Sequence, residues 1–365
     1  MKYEMKLCVI KISVNSRLEE VLNQVTCRSE MDIEVLQSFE EFSAAAESGC
    51  LKKCKLVFAA AIPASGVSLE VYKIIDYLQS KSTADSSKAV LDGSSGGVIV
   101  DGDTELYTKD IGRKLIFAAN LAGCSFPGKP LVEATASLNN FKVLSKLWNT
   151  DLKGAYLKSC ESLMERVWEF SAETGNNKKP HILAIHAGSH KLSNSLALWR
   201  MVTSDLEGRA SIEEISVRNG QVWDCRGCKY EDCLHFGENG DCFYGGVMVE
   251  KVYPAILKCD ILVLICPNYN DSVSANIMAF INRLTAVFRA NDFSQKRVYA
   301  IIVSGYSGSD LVAQQIIGAI NINKSFALPA SFSMMETAND PGDIEKSDGV
   351  SARAKAFADK ILGDL

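Results

Sequence analysis

The chain has 365 residues, 47% apolar and 23% charged, with a formal charge of −5. That composition is typical of folded globular protein and the length suffices for two domains with proper cores. The acidic balance argues against nucleic acid or an anionic membrane as the main partner, and no apolar run approaches the roughly 20 residues of a spanning helix.

The start, MKYEMKLCVIKIS, alternates Lys with apolar residues and reads as a first β-strand. A signal peptide would need an unbroken apolar stretch and a small-residue cleavage site, so a cytoplasmic location is the expectation. Short apolar runs then alternate with longer amphipathic stretches along the whole chain, the pattern of parallel α/β sheets. In the first half KLCVIKISV runs almost directly into SRLEEVL, leaving no room for a glycine-containing phosphate loop. Farther on, AVLDGSSGGVIV reads as an apolar strand followed by a Gly/Ser loop.

The polar stretch Glu173–Lys179, with one Gly and no apolar periodicity, is the expected joint between residues 1–175 and 176–365. Beyond it the candidate strands are His181–Ala187, Ile212–Val217, Ile261–Cys266, Val298–Val303 and Phe326–Phe332. Helical patterns follow at Asn194–Asp205, Val247–Leu257, Ser274–Arg289, Asp310–Asn321 and Ser351–Leu362. Five strands alternating with five helices suit a doubly wound, flavodoxin-like sheet in three α/β/α layers. The first half repeats the plan in its letters, since the segment from Lys53 to Leu78 parallels that from Lys258 to Leu284. Two tandem five-stranded parallel sheets are therefore expected, by duplication or by convergence on one strand-loop-helix grammar.

The chemistry-bearing residues gather in the second half. After strand His181–Ala187 come Gly188, Ser189, His190, Lys191, Leu192, Ser193, Asn194 and Ser195, then a helix. A phosphate ester needs converging donors, and a strand-to-helix turn offers backbone N–H groups at the positive end of a helix dipole. Gly188 permits close approach, Ser189, Ser193 and Ser195 add hydroxyls, Lys191 adds charge, and Asn194 either joins them or holds the loop in shape. Alone, this loop is equally an ordinary capped helix start. It is neither a Walker loop nor the GxGxxG fingerprint.

This loop resembles the G-S-x-[RK]-x-x-S-N-[ST] signature of the NADPH-dependent FMN reductase and iron–sulfur flavoprotein branch of the flavodoxin-like superfamily, with His190 where Pro is usual. The resemblance continues through Cys266, Pro267, Asn268, Tyr269, Asn270, Asp271, Ser272, Val273 and Ser274 to Arg283. That run is similar to the family's T-P-x-Y-x-x-S-[VM]-[ST] segment and the helix after it. It implies FMN, with Pro267, Asn268, Tyr269 and Asn270 along the ring, Ser274 capping the next helix and Arg283 anchoring it. Ser304, Gly305, Tyr306 and Gly308, after strand Val298–Val303, fit the remaining side of such a pocket.

Of twelve cysteines, Cys8, Cys27, Cys50, Cys54, Cys124, Cys160, Cys259 and Cys266 are scattered and read as small buried hydrophobes. Cys225, Cys228, Cys233 and Cys242 crowd into one short segment, favouring metal ligation over disulfides. Here the resemblance to iron–sulfur flavoproteins implies a 4Fe-4S cluster, which four thiolates can surround. Structural zinc, with His235 standing in for a thiolate, or no metal are the alternatives. The remaining histidines show no ligand spacing, and His186 reads as structural.

The resemblance thus implies a redox protein passing electrons from a small-molecule or protein donor, NAD(P)H among the candidates, to an acceptor, with no separate acid–base residue. An FMN or quinone reductase without a cluster is the second expectation, and a non-catalytic interaction or sensor protein the third. Relatives of this kind are often homo-oligomers. A tandem chain would form a pseudo-dimer within itself, with a homodimer as the other arrangement.

Overall fold

Runs rich in Val, Ile, Leu and Ala pair as two separate, wholly parallel sheets of five strands each. The computed structural model describes residues 6–82, 88–171, 179–188, 193–218 and 222–363, in two units, Met1–Ala172 and Glu173–Leu365.

The first unit contains β1 Leu7–Ser13, β2 Ile33–Leu36, β3 Lys55–Ile62, β4 Ser95–Gly102 and β5 Leu131–Ala134, in the order β2-β1-β3-β4-β5. Its helices are α1 Ser16–Arg28, α2 Phe39–Glu47, α3 Leu69–Ser80, α4 Thr108–Leu121, α5 Lys142–Leu147 and α6 Leu152–Glu169. The second unit contains β6 His181–His186, β7 Ser211–Ser216, β8 Ile261–Pro267, β9 Arg297–Ser304 and β10 Ser333–Thr337, in the order β7-β6-β8-β9-β10. Its helices are α7 Asn194–Leu206, α8 Tyr230–Glu238, α9 Tyr253–Lys258, α10 Ala275–Arg283, α11 Thr285–Phe288, α12 Ser309–Ile316 and α13 Val350–Gly363. Counted within each unit, both orders are 2-1-3-4-5, that of the flavodoxin-like fold. The molecule is a tandem of two such α/β domains.

Because the central strands are covered on both faces, they read as continuous apolar runs rather than alternating ones. All eight residues of β9 are buried. In the first unit Val9, Val57 and Ile99 pack with Leu18 and Leu22 of α1 and Leu163 and Val167 of α6. In the second, Ala184, Val263 and Ile301 pack with Trp199 and Val202 of α7 and Phe357 and Ile361 of α13.

Several sequence expectations are corrected. Phe326–Phe332 is not the fifth strand. It is a buried connector that bridges to β9 at Ala327, opposite Arg297, before Pro329, which has no N–H to extend that pairing, and the continuous strand is the more polar Ser333–Thr337. In the first unit the strand is Ser95–Gly102, whereas the apolar Ala89–Leu91 lies in a turn. Its two leading glycines mislead because they look like a loop. A Cβ on Gly96 would stand 2.9 Å from Cys124 Sγ, and one on Gly97 2.9 Å from a Val167 methyl, so Gly serves close packing there. Stretch Ser274–Arg289 divides into α10 and α11, Val247–Leu257 opens with a π-turn at Met248–Val252, and Asp310–Asn321 closes with one at Ile317–Ile322. Of the scattered cysteines, Cys27 and Cys50 are exposed and Cys54 is half-buried; only the other five are core residues.

Candidate functional site

In an open parallel sheet, ligands bind outside the carboxyl ends of the strands, at the point where the strand order reverses. In the second unit that point lies between β6 and its neighbour β8. The loop after β6 and the loop after β8 therefore emerge side by side on one crest, next to the loops after β9 and β10.

At the end of β6, a Cβ on Gly188 would stand 3.0 Å from Ser193 Oγ, at the start of α7. Ser193 caps α7, its Oγ accepting from Leu196 N–H and lying 2.9 Å from Ser195 Oγ. Ser189 and Lys191 lie outside the described residues. Asn194 faces the protein: its Nδ2 donates to Asp340 O at 2.9 Å and Ala338 O at 3.3 Å, and its Oδ1 accepts from Gly342 N–H at 3.0 Å. It braces the loop after β10, a role different from the two the sequence suggested for its own loop.

The β8 loop is a tight turn in which Tyr269 and Ser272 exchange backbone hydrogen bonds of 3.4 and 3.2 Å. Asn270 and Asp271 both take φ of 54°, a left-handed pair that Asn and Asp tolerate better than other side-chain-bearing residues. The Tyr269 ring is thrown outward, 60% exposed. Asn268 Nδ2 donates to Ser304 Oγ, Ser307 O and Asp271 Oδ1, leaving Asn268 Oδ1 buried without a hydrogen-bond partner. Ser274 stands at the N-cap position of α10, but its hydroxyl makes no capping bond. Its Oγ is instead buried and unpartnered, which corrects the expected cap. Pro267 ends β8 in register with Val303.

On the β9 side, Ser304 is buried and its Oγ lies 2.7 Å from Ser309 Oγ. A Cβ on Gly305 would meet Asn339 Oδ1 at 2.9 Å. Tyr306 is 81% exposed. Gly308 has φ of 86°, and a Cβ there would stand 2.1 Å from Asp271 Oδ1. The β8 and β9 loops are thus locked together. Sequence reasoning missed Gln315, whose side chain bonds Val273 N–H and Asp271 O, and Asn276, whose Nδ2 donates to Val217 O. It also missed the turn Asn339–Gly342, which its Pro-Gly pair after a strand could have signalled.

Beneath this crest, Glu214 on β7 collects His186 Nε2 at 3.4 Å, Trp199 Nε1 at 3.1 Å and Arg200 at 3.0 Å. The hydrogen bond with His186, then the Arg200 charge and the Trp199 bond, hold its carboxyl down at about 2. His186 is buried, in keeping with a structural part.

The four-cysteine segment packs against α10 and α11. Arg283 NH2 donates to Gly245 O at 2.9 Å, Arg289 to Tyr230 O at 3.1 Å and Asn282 to Asp224 Oδ1 at 2.9 Å. Arg283 is buried, an anchor as expected. Cys233 lies on α8, an element not foreseen. Burial raises its thiol and the nearby Arg289 charge lowers it. Lys324 adds a second cation near Cys225 and Cys233. Among the described residues, however, no group of three or more His, Cys, Asp or Glu side chains is arranged to hold a metal ion.

The first unit presents a different crest. Where a phosphate loop would lie, β1 gives way at once to Asn15, the cap of α1. Arg17 grips the fully buried Asp101 at 2.6 and 2.9 Å and also donates to Gly102 O and Ala136 O. Asn15 Nδ2 completes the set at 2.8 Å from Asp101 Oδ1. The ends of β1, β4 and β5 are tied shut by the chain's own charges, and this crest does not fit a flavin phosphate.

Residues 180–340 match the family described as NADPH-dependent FMN reductase, a stretch that includes the loops after β6, β8 and β9. The match lies within the second unit. No curated protein sequence matches the chain. Similar solved structures include an NAD(P)H:quinone oxidoreductase from Methanothermobacter marburgensis, 13% identical over 50% of this chain and 98% of that one, with a TM-score of 0.38. The Trp repressor binding protein from Bacillus subtilis is 20% identical over 48% and 96%, with a TM-score of 0.32. An FMN-dependent NADH-azoreductase from Bacillus anthracis, solved with FMN, is 11% identical over 50% and 99%, with a TM-score of 0.34. Within the matched segment, the residues gathered on the crest have the donor chemistry a flavin nucleotide requires. Hydroxyls and helix-start amides stand at β6, an aromatic turn at β8, and unpaired buried acceptors at Asn268 and Ser274.

Proposed function

We propose that the second unit holds one FMN and that the chain is a flavin-dependent oxidoreductase taking electrons from a reduced nicotinamide nucleotide. The observation carrying this reading is the adjacency of β6 and β8, which puts a serine-rich helix start and an outward Tyr269 on the same crest at the strand-order reversal. Ser193, Ser195 and the first amides of α7, with Ser189 and Lys191, are assigned to the phosphate. The Pro267–Asn270 chain, Tyr269 and Tyr306 are assigned to the ring, with Ser304, Gly305 and Gly308 shaping its far side. When bound, FMN supplies a ring that accepts two electrons as hydride and releases them together or singly. The protein's part is to fix that ring and limit its contact with water.

A second reading adds a redox cluster at Cys225, Cys228, Cys233 and Cys242. It is motivated by the spacing of the four cysteines and by Arg289, held to Tyr230 O at the start of the helix that carries Cys233, because a cation offsets the negative charge of a thiolate-bound cluster. Anaerobic purification, with a visible spectrum and FMN, iron and sulfide assays, tests both. One FMN per chain, bleached by NADPH, is expected. Protein that neither retains nor rebinds FMN overturns the first reading, and flavin without iron or sulfide overturns the second.

A further inference from the structure

The crest of the first unit, closed to a phosphate, is apolar on its outside. Among the described residues of that unit, every exposed large hydrophobic side chain follows the carboxyl end of a strand. Val67 and Leu69 come after β3, and Leu106 and Tyr107 after β4. Val143 and Leu147, on α5 after β5, are 76% and 73% exposed. Single apolar side chains on a surface are ordinary, but a set confined to one end of a domain marks an interaction face. Tyr107 is held there under strain. Its φ of 73° is a region that bulky residues avoid, and a Cβ on Gly66 would stand 2.5 Å from its Cγ, so the ring rests directly on the neighbouring loop.

The charges on this face favour cations. On α5, Val143 and Leu147 form one stripe and the exposed Lys142 and Lys146 the next, while Leu144 and Trp148 pack on the core. Lys153, in the first turn of α6, is exposed beside them. The acids of the crest loops are mostly engaged. Glu105 accepts from Ser137 N–H at 2.9 Å, Glu133 pairs with Lys109 at 3.4 Å, and Asp151 accepts from Gly154 N–H at 2.7 Å. The exposed Asp103 is outnumbered by the three lysines.

We propose that the first crest docks on an anionic lipid bilayer, its aliphatic side chains entering the interface and its lysines meeting the headgroups. Protein partners are gripped chiefly by Trp, Tyr and Arg, with Leu and Val under-represented among the residues that matter. Here the protruding groups are mainly Val and Leu, and the cations are lysines, whose long stems lie along apolar groups while the amine stays in the headgroup layer. Tyr107 suits the same level. The formal charge of −5 does not oppose this contact, because charges farther than about 8 Å from the surface are screened in physiological salt. None of the described helices is long and apolar enough to cross a membrane, so the attachment is to its surface.

The test sediments the full chain with vesicles of phosphatidylcholine, alone or with phosphatidylglycerol added. Binding to the mixed vesicles, weakened by salt and much weaker on phosphatidylcholine alone, is expected. Lys142→Gln with Lys146→Gln should lower it on the order of thirtyfold at low salt. Val143→Asp with Leu147→Asp should lower it at least about tenfold, with an unchanged urea midpoint as the check on folding. Leu257→Asp, at an exposed aliphatic position of the second unit, should bind as the parent does. In Leu147→Trp, the emission added to the parent's should move to the blue on mixed vesicles and be quenched by brominated lipid. Absence of binding, binding indifferent to both double changes, or a dimer that those changes dissociate without lipid overturns the proposal. Sedimentation reads the protein with or without flavin, so the result stands apart from the FMN reading.

Discussion

Asn268 Nδ2 donates to Ser304 Oγ at 3.0 Å, so one side chain ties the turn after β8 to the end of β9. Gly308 completes that tie, because its left-handed backbone sits against Asp271 Oδ1 and Asn268 Nδ2. Gly308→Ala should therefore cost about 1–3 kcal/mol in urea unfolding, from strain and from the forced parting of the loops, and it should weaken FMN binding. Gly342 has the same φ of 86° with nothing within 4 Å of a Cβ. Gly342→Ala should show the backbone cost alone. Equal effects from the two substitutions would remove the steric part of the account.

Asn194 spends its amide on Ala338, Asp340 and Gly342. Asn194→Ala would free the β10 loop and orphan its carbonyls, at roughly 1–3 kcal/mol for the group left unsatisfied. FMN affinity should fall about tenfold to hundredfold, read by fluorescence titration. An unchanged affinity would mean that this loop does not shape the site.

In the first unit, Arg17→Ala leaves the buried Asp101 carboxylate with Asn15 as its remaining hydrogen-bond donor. Removing one partner of a buried pair costs about 3–5 kcal/mol, here toward the low end because the Arg17 side chain is 23% exposed. Denaturant unfolding of the variant measures it. The double change Arg17→Met, Asp101→Leu should recover much of the loss, since no charge is then stranded.

Glu214 gives a pH signature. Its folded-state value of about 2 lies below the ordinary 4.5, so its contribution is fully present above about pH 4.5 and drains away as pH falls toward 2. The shift corresponds to about 3 kcal/mol, for a side chain 19% exposed. Acid titration of stability should be steep across that window in the parent protein and shallower in Glu214→Gln. Parallel curves would exclude Glu214 as the source.

The parallel sheets were legible in the sequence because buried central strands write continuous apolar runs, as in Ile261–Cys266. The last strand was not. Buried Phe326 and Phe332 belong to a connector that reaches β9 through one bridge at Ala327 and is interrupted at Pro329, while Ser333–Thr337 has an edge strand's mixed character. At the crest, loop order and spacing were readable, but bracing was not. Asn268 and Asn194 look like ligand donors in one dimension, and only their partners far along the chain reveal that they hold loops. Ser274 likewise has the letter and position of a cap without its hydrogen bond.

The charge pair at Arg17 and Asp101 bears on how the two halves respond to supply of flavin. A ligand stabilises only the state that binds it, by an amount that grows with its concentration. On the proposed reading, a crest closed by internal charges would gain nothing directly from added FMN, whereas the second crest would be steadied by it, so heat-melting with and without the nucleotide should shift the signal of the second half and leave that of the first where it was.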